Sequence, residues 1–190
     1  DNFTIKGNRN MVLRGADSSL MRRIVSVFPE LRSQTTKGQN GRVAVIGGSF
    51  EFTGAPYYSA ISALRVGADL SHIFCSKFSS AAIKSYSHRS SCTRYSCRKS
   101  RRSAVRLRGD DAKGVALEAE GGEKAVHSWI IGPGLGRDMY MQKFFPQMIR
   151  GLPDNCQVII DADGIYYLCS HPELFQELRR FKAVLTPNAR

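Results

Sequence analysis

The sequence has no long hydrophobic run. No apolar stretch approaches the roughly 20 residues that a membrane-spanning helix needs, which excludes an integral membrane protein of that kind. Its five cysteines, Cys75, Cys92, Cys97, Cys156 and Cys169, contain no Cys-x-x-Cys pair and no disulfide-like rhythm. Reduced thiols in a cytoplasmic or mitochondrial protein are therefore expected. His72, His127 and His171 stand at no spacing suited to a metal and read as satisfied surface or half-buried side chains. No Gly-Lys-Ser/Thr follows a glycine after four spacers, so a Walker A loop is excluded. The chain starts at Asp1 without the apolar stretch of a secretory signal, and the natural N-terminus is expected upstream.

Acidic residues are scarce in one place. Lysine and arginine total 28 against 16 acids, a net charge of +12. Two thirds of that excess sits in His88–Arg108, which holds seven Arg, one Lys and no acid. The segment shows neither a 3.6 nor a 2.0 apolar period and by composition should not pack. Three readings stand. A basic arm binding RNA is the weakest, because Tyr95 alone is available for base stacking. A disordered insert is the plain reading. The preferred one is a non-native segment from a shifted frame: one permitted codon set for His88–Arg98 spells Ser-Pro-Glu-Leu-Val-His-Pro-Val-Leu-Val-Pro in the neighbouring frame.

What is present is the pattern of one α/β domain over residues 1–190. A helix is expected at Ser19–Phe28, with Leu20, Ile24, Val27 and Phe28 on one face. Val43–Ile46 is a short apolar run between glycines, as in a buried parallel strand. A glycine turn and an alanine-rich helix, Tyr57–Val66, follow, with Pro56 at the helix start. Leu70–Cys75, Val126–Ile131, Val158–Ile160 and Lys182–Leu185 read as further strands, alternating with helices at Ser79–Ser85, Asp138–Ile149 and Pro172–Arg180. The alternation predicts a doubly wound, mainly parallel sheet covered on both faces. Trp129 is expected in the core.

Three motifs could carry chemistry. Two glycine turns, Gly47-Gly48-Ser49 with its loop through Gly54 and Gly132-Pro-Gly134-Leu-Gly136, each follow a strand. A glycine there admits close backbone approach, and the next helix start favours an anion. Each turn alone is equally well read as a tight strand-to-helix connection; two on one sheet edge strengthen ligand binding. The third motif is Asp161-Ala-Asp163-Gly, directly after a strand. Its carboxylates could hold Mg2+, orient a hydroxyl or act as a base; equally, Asp163 could cap the next helix and Asp161 close a turn.

Together, Lys37-Gly-Gln-Asn-Gly-Arg42, the Val-Ala-Val-Ile-Gly-Gly-Ser run ending at Ser49, the segment Phe52–Tyr57 and Ala63–Leu70 resemble the ATP-dependent NAD(P)H-hydrate dehydratase family. The likeness continues through Ile131–Asp138, Ile160–Gly164 and Ala183–Asn188. It implies a ribokinase-like fold and a repair reaction in which ATP phosphorylates the hydroxyl of hydrated NADH or NADPH and loss of phosphate restores the coenzyme. It places Gly134 and Gly136 beside the substrate, Asn188 at the start of another substrate segment, Gly48 and Gly54 in the wall, and Asp161 and Asp163 nearby or linked to Mg2+. It also makes the shifted frame more persuasive, since a Ser-Pro-Glu-Leu stretch is typical of the family at that point. The family pattern runs on past Thr-Pro-Asn into a Lys-Gly segment and a Gly-Gly-x-Gly-Asp turn that bind ATP and supply the catalytic aspartate. Neither occurs between Asn188 and Arg190. The resemblance therefore puts the catalytic aspartate beyond Arg190 and names no catalytic residue within these 190; the C-terminal part of the fold is expected to be missing and this chain alone weakly active or inactive. A ribokinase-like small-molecule kinase and a non-catalytic protein using the basic segment on nucleic acid are the alternatives, and a homo-oligomer is left open.

Overall fold

The computed structural model describes residues 18–27, 36–86, 91–94 and 126–188. Arg190, beyond which the catalytic aspartate is expected, lies outside the described residues. Length alone points to one domain over residues 1–190, and the chain divides into two compact units, residues 1–36 and residues 37–190. In the first, α1 (Ser18–Val27) forms where the periodicity places it, with Met21 buried while Leu20 and Ile24 remain exposed. Phe28 lies outside the described residues.

The second unit is the α/β fold. In chain order it runs β1 (Arg42–Ile46), α2 (Gly54–Val66), β2 (Leu70–Cys75), α3 (Ser80–Tyr86), β3 (Ser91–Arg94), β4 (Ser128–Ile131), α4 (Met139–Arg150), β5 (Gln157–Asp161), α5 (Asp163–Ser170), α6 (Leu174–Glu177), a 3-10 turn (Leu178–Arg180) and β6 (Lys182–Thr186). The strands form one sheet in the order β3-β2-β1-β4-β5-β6, and every pairing is parallel. Ala44 sits between His72 and Trp129 in the register, and Ile46 between Phe74 and Ile131.

Alternation along each strand sends side chains to two cores. Ala44, Ile46, Phe74, Trp129, Ile131, Val158 and Ile160 face one side, beneath the Phe144, Phe145, Met148 and Leu168 side chains of α4 and α5. Val45, Ile73 and Cys75 face the other, against Ala60 of α2 and Ile83 of α3. Both faces of the central strands are thus apolar, which is why they read as continuous hydrophobic runs. Trp129 is in the core as expected, its ring 6.1 Å from that of Phe74. The outer strand β6 is exposed along its whole length.

The basic segment departs from expectation. Ser91–Arg94 forms β3, pairing with His72–Cys75 at the sheet edge, so the expectation that His88–Arg108 contains no regular structure fails there. Parallel pairing uses main-chain groups, and an open edge of β2 can order a strand whose side chains have no apolar period. The remaining residues of the segment lie outside those described.

Two local arrangements explain features of the sequence. Asp69 binds back to the turn before β1: its Oδ2 accepts from the N–H groups of Gly38 (2.9 Å) and Asn40 (3.0 Å), and its Oδ1 from the Asn40 amide (3.2 Å). The second concerns Pro146 inside α4. Proline has no N–H to give the carbonyl four residues earlier, that of Gln142. His171, just past α5, supplies the missing contact, its Nε2 lying 3.1 Å from that oxygen. A carbonyl partner requires the Nε2–H form.

His171→Ala should therefore leave the Gln142 carbonyl unpaired and cost about 1–3 kcal/mol by urea unfolding. In a Pro146→Ala background, where the helix N–H returns, that cost should nearly vanish, and additive costs would refute the substitution. Asp69 offers a pH test. The Asn40 N–H foremost, then the Asn40 side chain, holds its carboxyl below the ordinary 3.8. Its stabilising contribution is full above that ordinary value and lost as pH falls through the depressed one. Acid melting curves of Asp69→Asn should lack the corresponding step below pH 4.

Candidate functional site at the β1 and β4 strand ends

The strand order reverses between β1 and β4. From β1 the chain builds outward to β2 and β3, then returns to add β4, β5 and β6 on the other side. In open α/β sheets, ligands bind at the carboxyl ends of strands flanking such a reversal, because the connections diverge and leave a crevice. Both glycine turns leave the sheet there.

They also pack directly on each other. Gly48 donates its N–H to the carbonyls of Pro133 (3.2 Å) and Gly134 (3.0 Å), and Gly132 donates to Ile46 (2.9 Å). A Cβ on Gly47 would fall on the Pro133 carbonyl, and one on Gly132 on the Asp161 carbonyl. Gly48, Gly132, Gly134 and Gly136 all have φ between 59° and 122°, a region glycine enters without strain. Leu135 N–H to Gly132 O (3.0 Å) closes a β-turn with Pro133 and Gly134 at its centre. A Cβ on Gly134 would come 2.8 Å from Cβ of Phe52, and one on Gly136 would come 2.9 Å from Cβ of Ser49.

The structure thus brings Gly48, Gly134 and Gly136 together with the Ser49–Ala55 loop, and Gly54 opens α2 at the end of that loop. The two turns do not offer a row of free amides, however. Gly47 N–H goes to Phe74 O (3.0 Å) and Ser49 N–H to Phe52 O (3.2 Å), while Gly136 N–H goes to Asp163 Oδ2 (3.1 Å). Within 132–136, the Gly134 N–H is the donor without a partner among the described residues. Its own peptide carbonyl, that of Pro133, points to Gly48, so this N–H points the opposite way.

The paired aspartates separate. Strand β5 ends at Asp161, and Ala162, at φ 45°, breaks the alternation that would have pointed both carboxylates to one side. Asp161 accepts from the Thr186 hydroxyl at 2.7 Å, on the β6 side, where exposed Asn188 lies two residues further on. Asp163 is the first residue of α5 and makes no cap; it turns to β4's connection, taking Gly136 N–H and Arg137 Nε (2.9 Å). The Arg137 guanidinium lies over the Tyr166 ring at 4.4 Å. Tyr167, one residue further along α5, donates its hydroxyl to the Gly136 carbonyl at 2.8 Å. Burial first, then the Asp138 and Asp163 charges, pushes the Tyr167 phenol up to about 12, so it remains a donor throughout the ordinary pH range. Asp138 itself caps α4 through the Met141 N–H at 2.6 Å.

Sequence reasoning missed Tyr167 and Thr186. Tyr167 had a faint signal, since it follows Asp163 by four and shares its helix face; Thr186 had none, its partner lying on another strand.

Residues 43–190 match the NAD(P)H-hydrate dehydratase family. The chain belongs to that family. Among its relatives, the ATP-dependent (S)-NAD(P)H-hydrate dehydratase of Bos taurus is 38% identical over 175 residues, 90% of this chain and 47% of that protein. The protein of the same name from Ciona intestinalis is 40% identical over 173 residues, 90% of this chain and 44% of its own. The chain spans about half the length of the curated relatives it matches. Two solved structures share the fold. A ribokinase-like superfamily protein from Enterococcus faecalis superposes with a TM-score of 0.62 at 18% identity, covering 84% of this chain and 49% of that one. A hypothetical protein from Streptococcus mutans gives 0.63 at 21%, covering 90% and 54%. The doubly wound, ribokinase-like α/β fold is therefore as expected.

For a family member, the described residues give Mg2+ little to bind. No group of three His, Cys, Asp or Glu side chains among them could hold a metal ion, and both candidate carboxylates are already engaged by protein donors. No helix among them is long and apolar enough to cross a membrane.

Gly134→Ala should push the Ser49–Ala55 loop away and cost about 2–4 kcal/mol, since left-handed strain adds to a contact with main chain at Phe52. Gly67→Ala, at φ 124° but with open space around it, should cost less, about 1–2 kcal/mol. Equal losses in urea unfolding would mean the close approach carries no weight.

Proposed function

We propose that this chain carries the substrate-facing part of an ATP-dependent NAD(P)H-hydrate dehydratase, which restores NADH or NADPH from the hydrated coenzyme. The observation behind the proposal is that the family's glycine turn, Gly132–Gly136, lies at the strand-order reversal and interlocks with the Gly48 turn. A dinucleotide brings anionic phosphates and a flat ring to this rim. Gly134 N–H is the amide we assign to a phosphate oxygen, with Gly136 beside it and Gly48 and the Gly54 end of α2 forming the wall. Asn188 offers its amide from the β6 side. Asp161 and Asp163 act behind these residues, holding Thr186 and the glycine turn. Neither carboxylate is assigned as the catalytic base, and the proposal leaves that role to an aspartate beyond Arg190. When bound, ATP with Mg2+ on its phosphates supplies the phosphoryl group that makes the ring hydroxyl a leaving group. In such transfers positioning and charge stabilisation are most of the protein's contribution.

Cys75, Cys156 and Cys169 are free thiols, and we assign the protein to the cytoplasm or mitochondrion. Val184 and Leu185 are exposed on β6, which favours self-association, so a homo-oligomer belongs to the proposal.

The test is uptake and turnover of acid-hydrated NADH. Calorimetry should show saturable uptake by the 190-residue chain. With ATP and Mg2+, the near-ultraviolet absorbance of reduced nicotinamide should return, weakly for this chain alone. No saturable uptake would sink the reading. ATP consumption driven by a simple alcohol and not by hydrated NADH would move the protein to the small-molecule kinases.

A further inference from the structure

Gly136 is held at both ends of its own residue. Its N–H is taken by Asp163 Oδ2 at 3.1 Å and its carbonyl by the Tyr167 hydroxyl at 2.8 Å. Both side chains come from α5, one helical turn apart, so a single rigid element fixes N–H and C=O together. The grip extends on either side. Asp163 Oδ1 takes Arg137 Nε at 2.9 Å, and the Tyr167 hydroxyl lies 3.4 Å from the Asp138 carbonyl. Tyr167 is fully buried, packed at 5.4 Å against the Phe145 ring, and the Asp163 side chain is 15% exposed. These are supported side chains with little freedom to swing away.

A turn with three glycines in five residues has low intrinsic stiffness. Left to itself, Gly132–Gly136 would sample several conformations, and the Gly134 N–H, its donor without a partner among the described residues, would point in several directions. On the other side the turn is fixed through Pro133 O and Gly134 O to Gly48 N–H. At its C-terminal end the α5 contacts join the buried Leu135 side chain in holding it. Asp163 does not cap its own helix, and every printed partner of the two polar groups lies in the Gly136–Asp138 stretch.

We propose that Asp163 and Tyr167 are positioning residues that clamp Gly136 from α5 and thereby aim the Gly134 N–H at the bound hydrated dinucleotide. This rests on the dehydratase reading for the identity of the ligand, but the clamp itself is testable without it. Neither residue touches the substrate. Each acts on affinity through the geometry of the turn, where misplacement of about 1 Å can cost roughly a hundredfold.

The experiment compares wild type with Asp163→Ala, Asp163→Asn and Tyr167→Phe in the 190-residue chain. Amide hydrogen exchange is read on peptides covering 132–138 and on the β1 and β5 strands, and affinity for acid-hydrated NADH is read by calorimetry. Asp163→Ala should raise exchange within 132–138 while the strands stay protected, and should weaken binding roughly tenfold to a hundredfold. Asp163→Asn, which keeps an acceptor for Gly136 N–H, should recover much of both, and Tyr167→Phe should fall between. Unchanged exchange across 132–138 in Asp163→Ala overturns the clamp whatever the affinity does, and so does exchange that rises equally in the strands. Raised local exchange with unaltered affinity overturns the aiming role. If wild type takes up no hydrated NADH while Asp163→Ala still loosens the turn, the dehydratase reading and the aiming role fail and the clamp stands.

Discussion

The site depends on one steric constraint. Where β1 and β4 leave the sheet side by side, their connections pass so close that Gly47 has no room for even a methyl group, the Pro133 carbonyl occupying the space, and Gly132 is pressed in the same way on the Asp161 carbonyl at the end of β5. Everything above follows from that contact. It lets Gly48 donate across to the second turn, lets that turn rest on the Ser49–Ala55 loop, and brings Gly136 within reach of α5. Glycine is used here for proximity as much as for its left-handed φ.

Much of this architecture could be read from the sequence, for a physical reason. Central strands buried on both faces must be continuously apolar, so Val43–Ile46, Leu70–Cys75 and Val158–Ile160 announce themselves, and glycines mark where the chain turns. The partners of polar side chains could not be read in this way. Asp161 and Asp163 look like a pair in sequence, but a single residue at φ 45° sends them to opposite neighbours. The partners of the turn amides were equally hidden. Whether an N–H is free depends on which acceptor the fold places before it, and for Gly47 and Gly136 the acceptors, Phe74 and the Asp163 carboxylate, are remote in sequence. Strand β3 was invisible because edge pairing can be satisfied by main chain alone.

The two rims of the sheet divide the family's motifs between them. The Lys37–Arg42 turn and Asp69, which look as distinctive in sequence as the glycine turns, meet and bind each other at the amino end of β1. Their distinctiveness is that of a fastening at the start of the sheet. The motifs at the carboxyl rim keep exposed groups, namely Asn188, Arg137 and the Phe52 side of the loop. A short motif is therefore informative about ligand binding only once its end of the strand is known.

The contact between His171 and the helix that contains Pro146 has a mechanical consequence. Helix α5 is stapled near the rim to the connection leading into α4 through Asp163 and Tyr167, and the residue just past its end is tied to α4 itself lower down through the imidazole on the Gln142 carbonyl. Fastened at two heights, the two helices must travel as one block with the glycine turn between them. Any breathing of the crevice then falls to the opposite bank, the Ser49–Ala55 loop, whose exposed Phe50 and Phe52 rings make it the hinged jaw against a fixed anvil.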